Sequence, residues 1–412
     1  MGAGVLLYGL SVPSVAAENK PRNLFTELLS KSDSEISAKV DAAWKQLFYG
    51  DDATQRVYFP VGDDMAYIAD IGSNDVRSEG MSYGMMICVQ LDRRAEFDRL
   101  WKWAKAHMYH ASGPRRGYFA WHCHYDGTQI DPGSASDGEV WFAMALFFAA
   151  RRWDQHAAAP EGRANRPGEP RLGADASPYL ADAQALLRAM RDNDRGGEIT
   201  SIFDPERKLV VFAPTREASA FTDPSYHLPA FLELWARWDA DAEGRAFWAD
   251  AAKASRAYLK RAAHPKTGLF SEYANFDGTP RPGEKGDFRF DAWRTLANVA
   301  LDHAWFPDAA GAWSHEQSNR VLRFLASQGP QCANQFSLDG KPLSTDSSLG
   351  LTAMAAVAGL AADAELARPF VQRLWDAPSP EGKWRYYDGM LYFISLLQVS
   401  GRFQTYVPIS SQ

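Results

Sequence analysis

Residues 75–91 read DVRSEGMSYGMMICVQL. From Gly80 onward, Met81, Tyr83, Met85, Met86, Ile87, Val89 and Leu91 leave almost no polar face. A surface helix shows water a charged stripe; this one has none to show, so it is expected to be buried on every side. Yet Arg77 and Glu79 stand where it begins. A guanidinium and a carboxylate at the mouth of a buried helix need a reason.

The design recurs along the chain. Apolar periodicity predicts helices over 34–47, 79–91, 95–107, 137–153, 178–191, 224–238, 242–263, 291–303, 313–328, 348–362, 366–375 and 387–398. They fall in pairs. One member of each pair is apolar nearly throughout and opens with an acid: Glu79, Asp137, Asp223, Asp291, Asp346 and Asp388. The other member is amphipathic. Fully apolar helices inside half-polar ones describe a ring of helical hairpins, each burying its face against its neighbours. One acid at a helix start is ordinary capping and dipole complementation. Six in succession would crowd one mouth of the ring. No strand–helix alternation of the doubly wound kind appears. Asp-Gly turns at 126–127 and 277–278 suggest short hairpins at the rim, and 209–212 suggests one short strand. The Pro/Gly/Arg stretch 156–178 reads as a loop, because the helix-pair rhythm resumes after it, and 18–412 reads as a single domain.

Two motifs invite a different chemistry. Residues 80–84 match G-x-S-x-G, the nucleophile elbow of α/β-hydrolases, but that elbow follows an apolar strand, and ADIGSNDVRSE (69–79) is polar and turn-rich. His122-Cys123-His124 offers metal-binding types, yet neighbouring side chains in extended backbone point to opposite sides. No H-E-x-x-H and no phosphate loop occur, so neither metal nor cofactor is expected.

Carboxylate chemistry remains. Cutting a glycosidic bond takes one carboxylic acid to protonate the leaving oxygen and one carboxylate on the other face. Glu79 is the candidate acid. A helix N-terminus favours its ionised form, so burial and a nearby carboxylate must outweigh the dipole if it is to keep a proton. Asp137, at the next inner helix, is placed to supply that like charge. Asp291, in FRFDAWRTLANVALD, is the candidate base, with Phe290, Trp293 and Arg294 as an aromatic, hydrogen-bonding surround suited to sugar.

Composition agrees. A net charge of −7 argues against a nucleic-acid groove, and no run of eighteen apolar residues offers a membrane span. Aromatics reach 13%, more than a core needs, and suit a sugar cleft. Cys88, Cys123 and Cys332 make no disulfide framework; Cys88 reads as a small core residue. Residues 1–17 (MGAGVLLYGLSVPSVAA) are apolar and end in small residues, which reads as a signal peptide and an exported, periplasmic or secreted protein. The basic region before it is missing, so the alternative is a disordered tail on a cytoplasmic protein.

Taken together and in this order, DVRSEGMSYGMM, SASDGEVWFAMAL, FTDPSYHLPAFLELW and FRFDAWRT resemble glycoside hydrolase family 8, over roughly residues 56–392. The resemblance implies an all-α fold, an (α/α)6 barrel, and hydrolysis of β-1,4-glycans with inversion. It implies Glu79 as general acid, Asp291 as the base that activates water, and Asp137 as the carboxylate that hydrogen-bonds the distorted sugar. Tyr226, in DPSYHLP, matches an aromatic beside the catalytic water, and Arg77, Trp121, Arg294 and Tyr387 match cleft residues. DPSYHLPAFLELWA is most similar to the reducing-end xylose-releasing exo-oligoxylanases, implying a xylo-oligosaccharide substrate; a monomer is expected. Endo-acting xylanases and β-glucanases share the remaining motifs. The exo-enzymes close one end of the cleft with a loop in which a histidine is expected. The corresponding stretch here, 332–350, has none, and Asp346 or Ser347 is the expected replacement. A non-catalytic glycan-binding barrel would share the aromatics but has no need of the full carboxylate set.

Overall fold

The computed structural model describes residues 21–154, 178–193 and 197–406. The segment read as a signal peptide, and nearly all of the loop at 156–178, lie outside the described residues.

A short α1 (Leu24–Leu29) precedes six helical hairpins. Their outer members are α2 (Asp33–Tyr49), α4 (Arg94–His107), α6 (Pro178–Asp192), α8 (Ala242–Ala262), α10 (Pro307–Ser327) and α12 (Ala364–Asp376). Their inner members are α3 (Ser78–Gln90), α5 (Ser136–Trp153), α7 (Pro229–Trp238), α9 (Arg294–Trp305), α11 (Leu349–Ala358) and α13 (Arg385–Val399). Along α3 every residue except Glu79 is buried, and α5 is buried from Ser136 to Ala150. Apolar on all sides, such helices are stable only with other helices around them. Accordingly α3 packs on α5 and α13, α9 on α7 and α11, and α11 on α13. Between α5 and α7 the ring is joined edge-to-face by Trp141 and Phe231, 5.0 Å apart. This is the (α/α)6 barrel. Among the described residues no helix is long and apolar enough to cross a membrane.

Prolines and local hydrogen bonds set the element boundaries. The helix expected over 224–238 is interrupted: a 3₁₀ turn at Pro224–Tyr226 gives way to α7 only at Pro229. Proline disfavours helical backbone at the preceding residue, and Leu228 lies outside the helical region at φ −121°, ψ 71°. The helix expected from 291 begins as a 3₁₀ turn, Phe290–Trp293, so α9 proper starts at Arg294. The segment expected over 348–362 stops at Ala358.

A five-stranded antiparallel meander lies at the mouth: β1 (Tyr58–Val61), β2 (Met65–Asp70), β3 (Asp75–Arg77), β4 (His122–Cys123) and β5 (Gln129–Asp131). The hairpin at 118–130 was expected; β1–β3 were not. The stretch 69–79 is therefore not strand-free, and a strand does precede G-x-S-x-G. What excludes the elbow is Ser82 itself, fully buried within α3 and donating to the Glu79 carbonyl at 2.8 Å. At 209–212 only an isolated bridge forms, Val210 with Phe203.

The meander sits on α3 at close range. A Cβ added to Gly84 would lie 2.7 Å from Ile68 Cγ1 on β2 and 3.1 Å from Leu100 Cδ1 on α4. Both neighbours are fully buried. Gly84→Ala is therefore expected to destabilise the fold by about 1–3 kcal/mol through overpacking. Chemical denaturation measures this, and an unchanged midpoint would contradict the packing described.

Candidate active site

At the mouth of the barrel the N-termini of the inner helices surround a cleft of about 1410 Å³. That exceeds the usual small-molecule pocket of about 300–1,000 Å³ and suits an oligomeric ligand. Beneath its floor sits Arg294, first residue of α9, with only 6% of its side chain exposed. Nη1 donates to Glu79 Oε2 at 2.5 Å, to Asp137 Oδ2 at 3.1 Å and to the Tyr83 hydroxyl at 3.1 Å. Nη2 donates to Ser225 Oγ at 2.9 Å and lies 3.3 Å from Asp291 Oδ1 and 3.9 Å from Asp223 Oδ2. Four carboxyl groups from four hairpins thus converge on one cation.

Local sequence explains why these acids face inward. Two of the outer helices are closed by their own side chains: Ser32 and Glu35 form a capping box on α2, and Asp241 caps α8. The residues before α3 and α5, Arg77 and Ala135, make no side-chain cap, and Glu79 and Asp137 in their first turns meet Arg294 instead. The six acids divide by role. Glu79, Asp137 and Asp291 line the cleft and meet Arg294. Asp388 caps α11, accepting from Ser348 Oγ at 2.7 Å and from the Gly350 amide at 3.1 Å. Asp346 lies exposed on the rim, and Asp223 is wholly buried behind the floor.

The other expected residues gather here too. Tyr226 presents its ring to the Arg294 guanidinium at 5.6 Å. The Tyr387 hydroxyl donates to the Phe290 carbonyl at 3.0 Å and reaches Asp291 Oδ1 at 3.5 Å. Arg77 is held by Asp70 at 3.2 Å and Asp75 at 3.1 Å, with Trp121 under its guanidinium at 5.8 Å. Seven of the eight line the cleft; Arg294 lies under its floor rather than on its wall. Sequence reading did not single out Tyr386, which donates to Glu79 Oε1 at 2.9 Å, or Tyr83 and Ser225. Tyr83 was within reach: it stands four residues after Glu79, on the same helix face. Glu272, whose Oε1 pairs with Lys285 at 2.5 Å in the cleft wall, carried no signal.

Because the terminal nitrogens of one guanidinium are only ~2.3 Å apart, the shared arginine caps the separation of Glu79 Oε2 from Asp291 Oδ1 at roughly 8 Å. Burial pushes the pKa of Glu79 up to about 7; Arg294 opposes the shift, and Asp137 and Asp291 add to it. Burial likewise raises Asp137 against the pull of Arg294. A raised pKa alone marks no site. Glu139, two residues on, is pushed up to about 8 by burial, yet it faces the interior and accepts from the Phe119 amide at 2.9 Å. His122 pairs with Asp75 at 2.7 Å and Cys123 is fully buried; among the described residues no cluster of three His, Cys, Asp or Glu is placed to hold a metal ion.

The class follows from known proteins. Residues 62–165 and 211–401 match Glycosyl hydrolases family 8. The chain is 45% identical to reducing-end xylose-releasing exo-oligoxylanase Rex8A of Paenibacillus barcinonensis, over 93% of this chain and 96% of that one. It is 42% identical to a reducing end xylose-releasing exo-oligoxylanase of Halalkalibacterium halodurans, over 94% and 95%. The structure of Rex8A complexed with xylose superposes with a TM-score of 0.84 at 44% identity, covering 94% of this chain and 98% of that chain. A xylanase of the same family from Teredinibacter turnerae, in complex with xylohexaose, superposes with a TM-score of 0.85 at 42% identity, covering 94% and 98%. The chain belongs to glycosyl hydrolase family 8 and is a glycoside hydrolase.

The raised pKa of Glu79 has a consequence for stability. An ordinary carboxyl titrates near 4.5 in the unfolded chain and Glu79 near 7 in the fold. The fold thus favours the protonated form; that stabilisation is full below pH 4.5 and is lost as pH rises to about 7. Above pH 7 the ionised side chain costs the fold about 3 kcal/mol. Glu79→Gln should therefore stabilise the protein by about that amount at pH 8 and scarcely at all at pH 4.5. Urea unfolding at the two pH values measures the difference, and an equal effect at both would contradict it.

Proposed function

We propose that the protein releases xylose from the reducing end of β-1,4-xylo-oligosaccharides with inversion. Glu79 acts as general acid and Asp291 as general base. The observation that carries this reading is the shared guanidinium: Arg294 holds one oxygen of each carboxyl group within about 8 Å of the other, below the roughly 9.5 Å upper limit for an inverting pair. Glu79, still half protonated near pH 7, gives its proton to the glycosidic oxygen as the bond to the anomeric carbon breaks. Asp291 takes a proton from the water that attacks that carbon from the opposite face. Asp137 hydrogen-bonds the distorted sugar at the cleavage site. Tyr226 bounds the space for the water, and Tyr387 orients Asp291. Arg77 and Trp121 serve sugar units further along the cleft.

Exo action is supported by one tied-down stretch of the cleft wall. Residues 334–348 fold back on themselves, with the Asn334 amide on the Asp346 carbonyl at 2.7 Å and Ser344 Oγ on Asn334 Oδ1 at 2.6 Å. Trp293, two residues from Asp291, anchors this stretch by donating from Nε1 to the Asn334 carbonyl at 3.0 Å. Asn334, Gln335, Asp346 and Ser347 face the cleft, so the stretch is tied down beside the base and can stop a chain there, without a histidine. The names of the relatives agree.

Glu79→Ala and Asp291→Asn should each lower xylose release from xylotriose by on the order of 10³-fold or more, with an unchanged circular dichroism spectrum. Retained turnover in either variant would refute the assignment. kcat/KM should fall as pH rises through about 7, where Glu79 loses its proton. A digest of xylohexaose should release xylose and xylopentaose first, with proton NMR showing the α-anomer in the newly formed reducing end. Mid-length products from the start would indicate an endo-acting enzyme of the same family.

A further inference from the structure

Asp223 has no place in the reaction as written, yet it belongs to the same cluster. It is wholly buried, and it faces Arg294 without lining the cleft. Its Oδ1 accepts from the Ser225 amide at 2.7 Å. Its Oδ2 is buried, has no hydrogen-bond partner, and stands 3.9 Å from Arg294 Nη2. A buried carboxylate that close to a guanidinium would be expected to close the gap to a charge-assisted bond of about 2.7–2.9 Å. Here the gap stays open, and Nη2 donates to Ser225 Oγ instead, at 2.9 Å.

We propose that Asp223 is a positioning residue that works as a neutral carboxylic acid, holding Ser225, and through it Arg294, without competing for the guanidinium charge that Glu79, Asp137 and Asp291 share. The proposal rests on the reaction given above. The path is short: Asp223 Oδ1 fixes the Ser225 amide, Ser225 Oγ receives Arg294 Nη2, and the Ser225 carbonyl receives Asn298 Nδ2 at 2.7 Å. Tyr226 follows directly in the same 3₁₀ turn. An ionised Asp223 would add one more negative charge around one positive charge in a buried space and pull the arginine back from the cleft. The charged and titratable groups around it are Asp291 and Arg294 at the start of α9, Tyr258 on α8, Tyr273 in the following loop, and Tyr226 in its own turn. Burial, reinforced by the charge of Asp291, pushes its pKa well above the ordinary value. The tyrosines are raised too and stay protonated, so Arg294 is the one cation of the group.

Two variants measured side by side test this. The neutral isostere Asp223→Asn keeps an oxygen for the Ser225 amide; Asp223→Ala removes it. Asp223→Ala should lose at least ten-fold in kcat with KM changed less than two-fold, and Asp223→Asn should recover at least half of the wild-type kcat with the alkaline limb of kcat/KM unmoved. Equal damage from both variants, no damage from Asp223→Ala, or an alkaline limb moved by half a pH unit in Asp223→Asn would each overturn the proposal. Urea unfolding supplies a second readout that needs no substrate. If the fold holds Asp223 neutral, Asp223→Asn gains stability relative to wild type on going from pH 4 to pH 8; if the fold holds it charged, the variant loses stability. Should the wild-type protein release no xylose, the proposed reaction fails, and the unfolding comparison alone decides whether Asp223 is neutral.

Discussion

One guanidinium for four carboxyl groups is the constraint on which the site depends. Arg294 is buried, so it cannot be left without a counter-charge, and it has five N–H donors to satisfy. The barrel meets both demands with Glu79, Asp137 and Asp291 as carboxyl partners and the Tyr83 and Ser225 hydroxyls as further acceptors, while Asp223 stands 3.9 Å off. The same arrangement makes full ionisation of the acids costly, because three negative charges would go unbalanced in a poorly solvated space. Glu79 and Asp137 are accordingly shifted toward the protonated form. The helix dipole at the start of α3 favours an ionised Glu79, and so do Arg294 and Tyr386, yet the pKa stands near 7. Burial outweighs all three.

The barrel makes this possible by separating the work of its two helix layers. The outer helices α2 and α8 spend polar groups at their starts on their own amides. Inner helices are fixed by packing on every side, so α3 and α5 hold their positions without a side-chain cap. Their acids are free for chemistry. Rigidity from the core is thus converted into fixed positions at the mouth, where Glu79 on α3 and Asp291 in the 3₁₀ turn before α9 are held around Arg294. The loops then shape the cleft: β3 and β4 carry Arg77 and the approach to Trp121 on one wall, and 334–348 closes against Trp293 on another.

How much of this the sequence carries differs from part to part. The inner helices were legible because a segment such as 136–153 has no polar face, and only burial by other helices suits it. Glu79, Asp137 and Asp291 were legible as acids at the starts of such helices. Three of the six acids in that position do other work, and nothing local distinguishes them: Asp388 caps a neighbouring helix, Asp346 sits on the rim, and Asp223 is sealed behind the floor. The meander β1–β3 was missed because its strands are only three to six residues long and two of them end in Asp or Arg, which reads as turn. Tyr386 and Tyr387 are adjacent, and only the helix angle at α13 decides that the first meets Glu79 and the second Asp291.

Periodicity and composition by themselves determined the ring of hairpins, the buried layer and the acids at its edge, because these depend on which residues tolerate water and on spacing within one helix. Tertiary structure alone decided that Arg294 lies under the floor, that it bridges Glu79 and Asp291, and that residues 334–348 are tied to Trp293 beside the cleft. Each of these joins side chains tens to hundreds of residues apart, and their meeting is fixed by how six hairpins close into a ring, a property that no single segment contains.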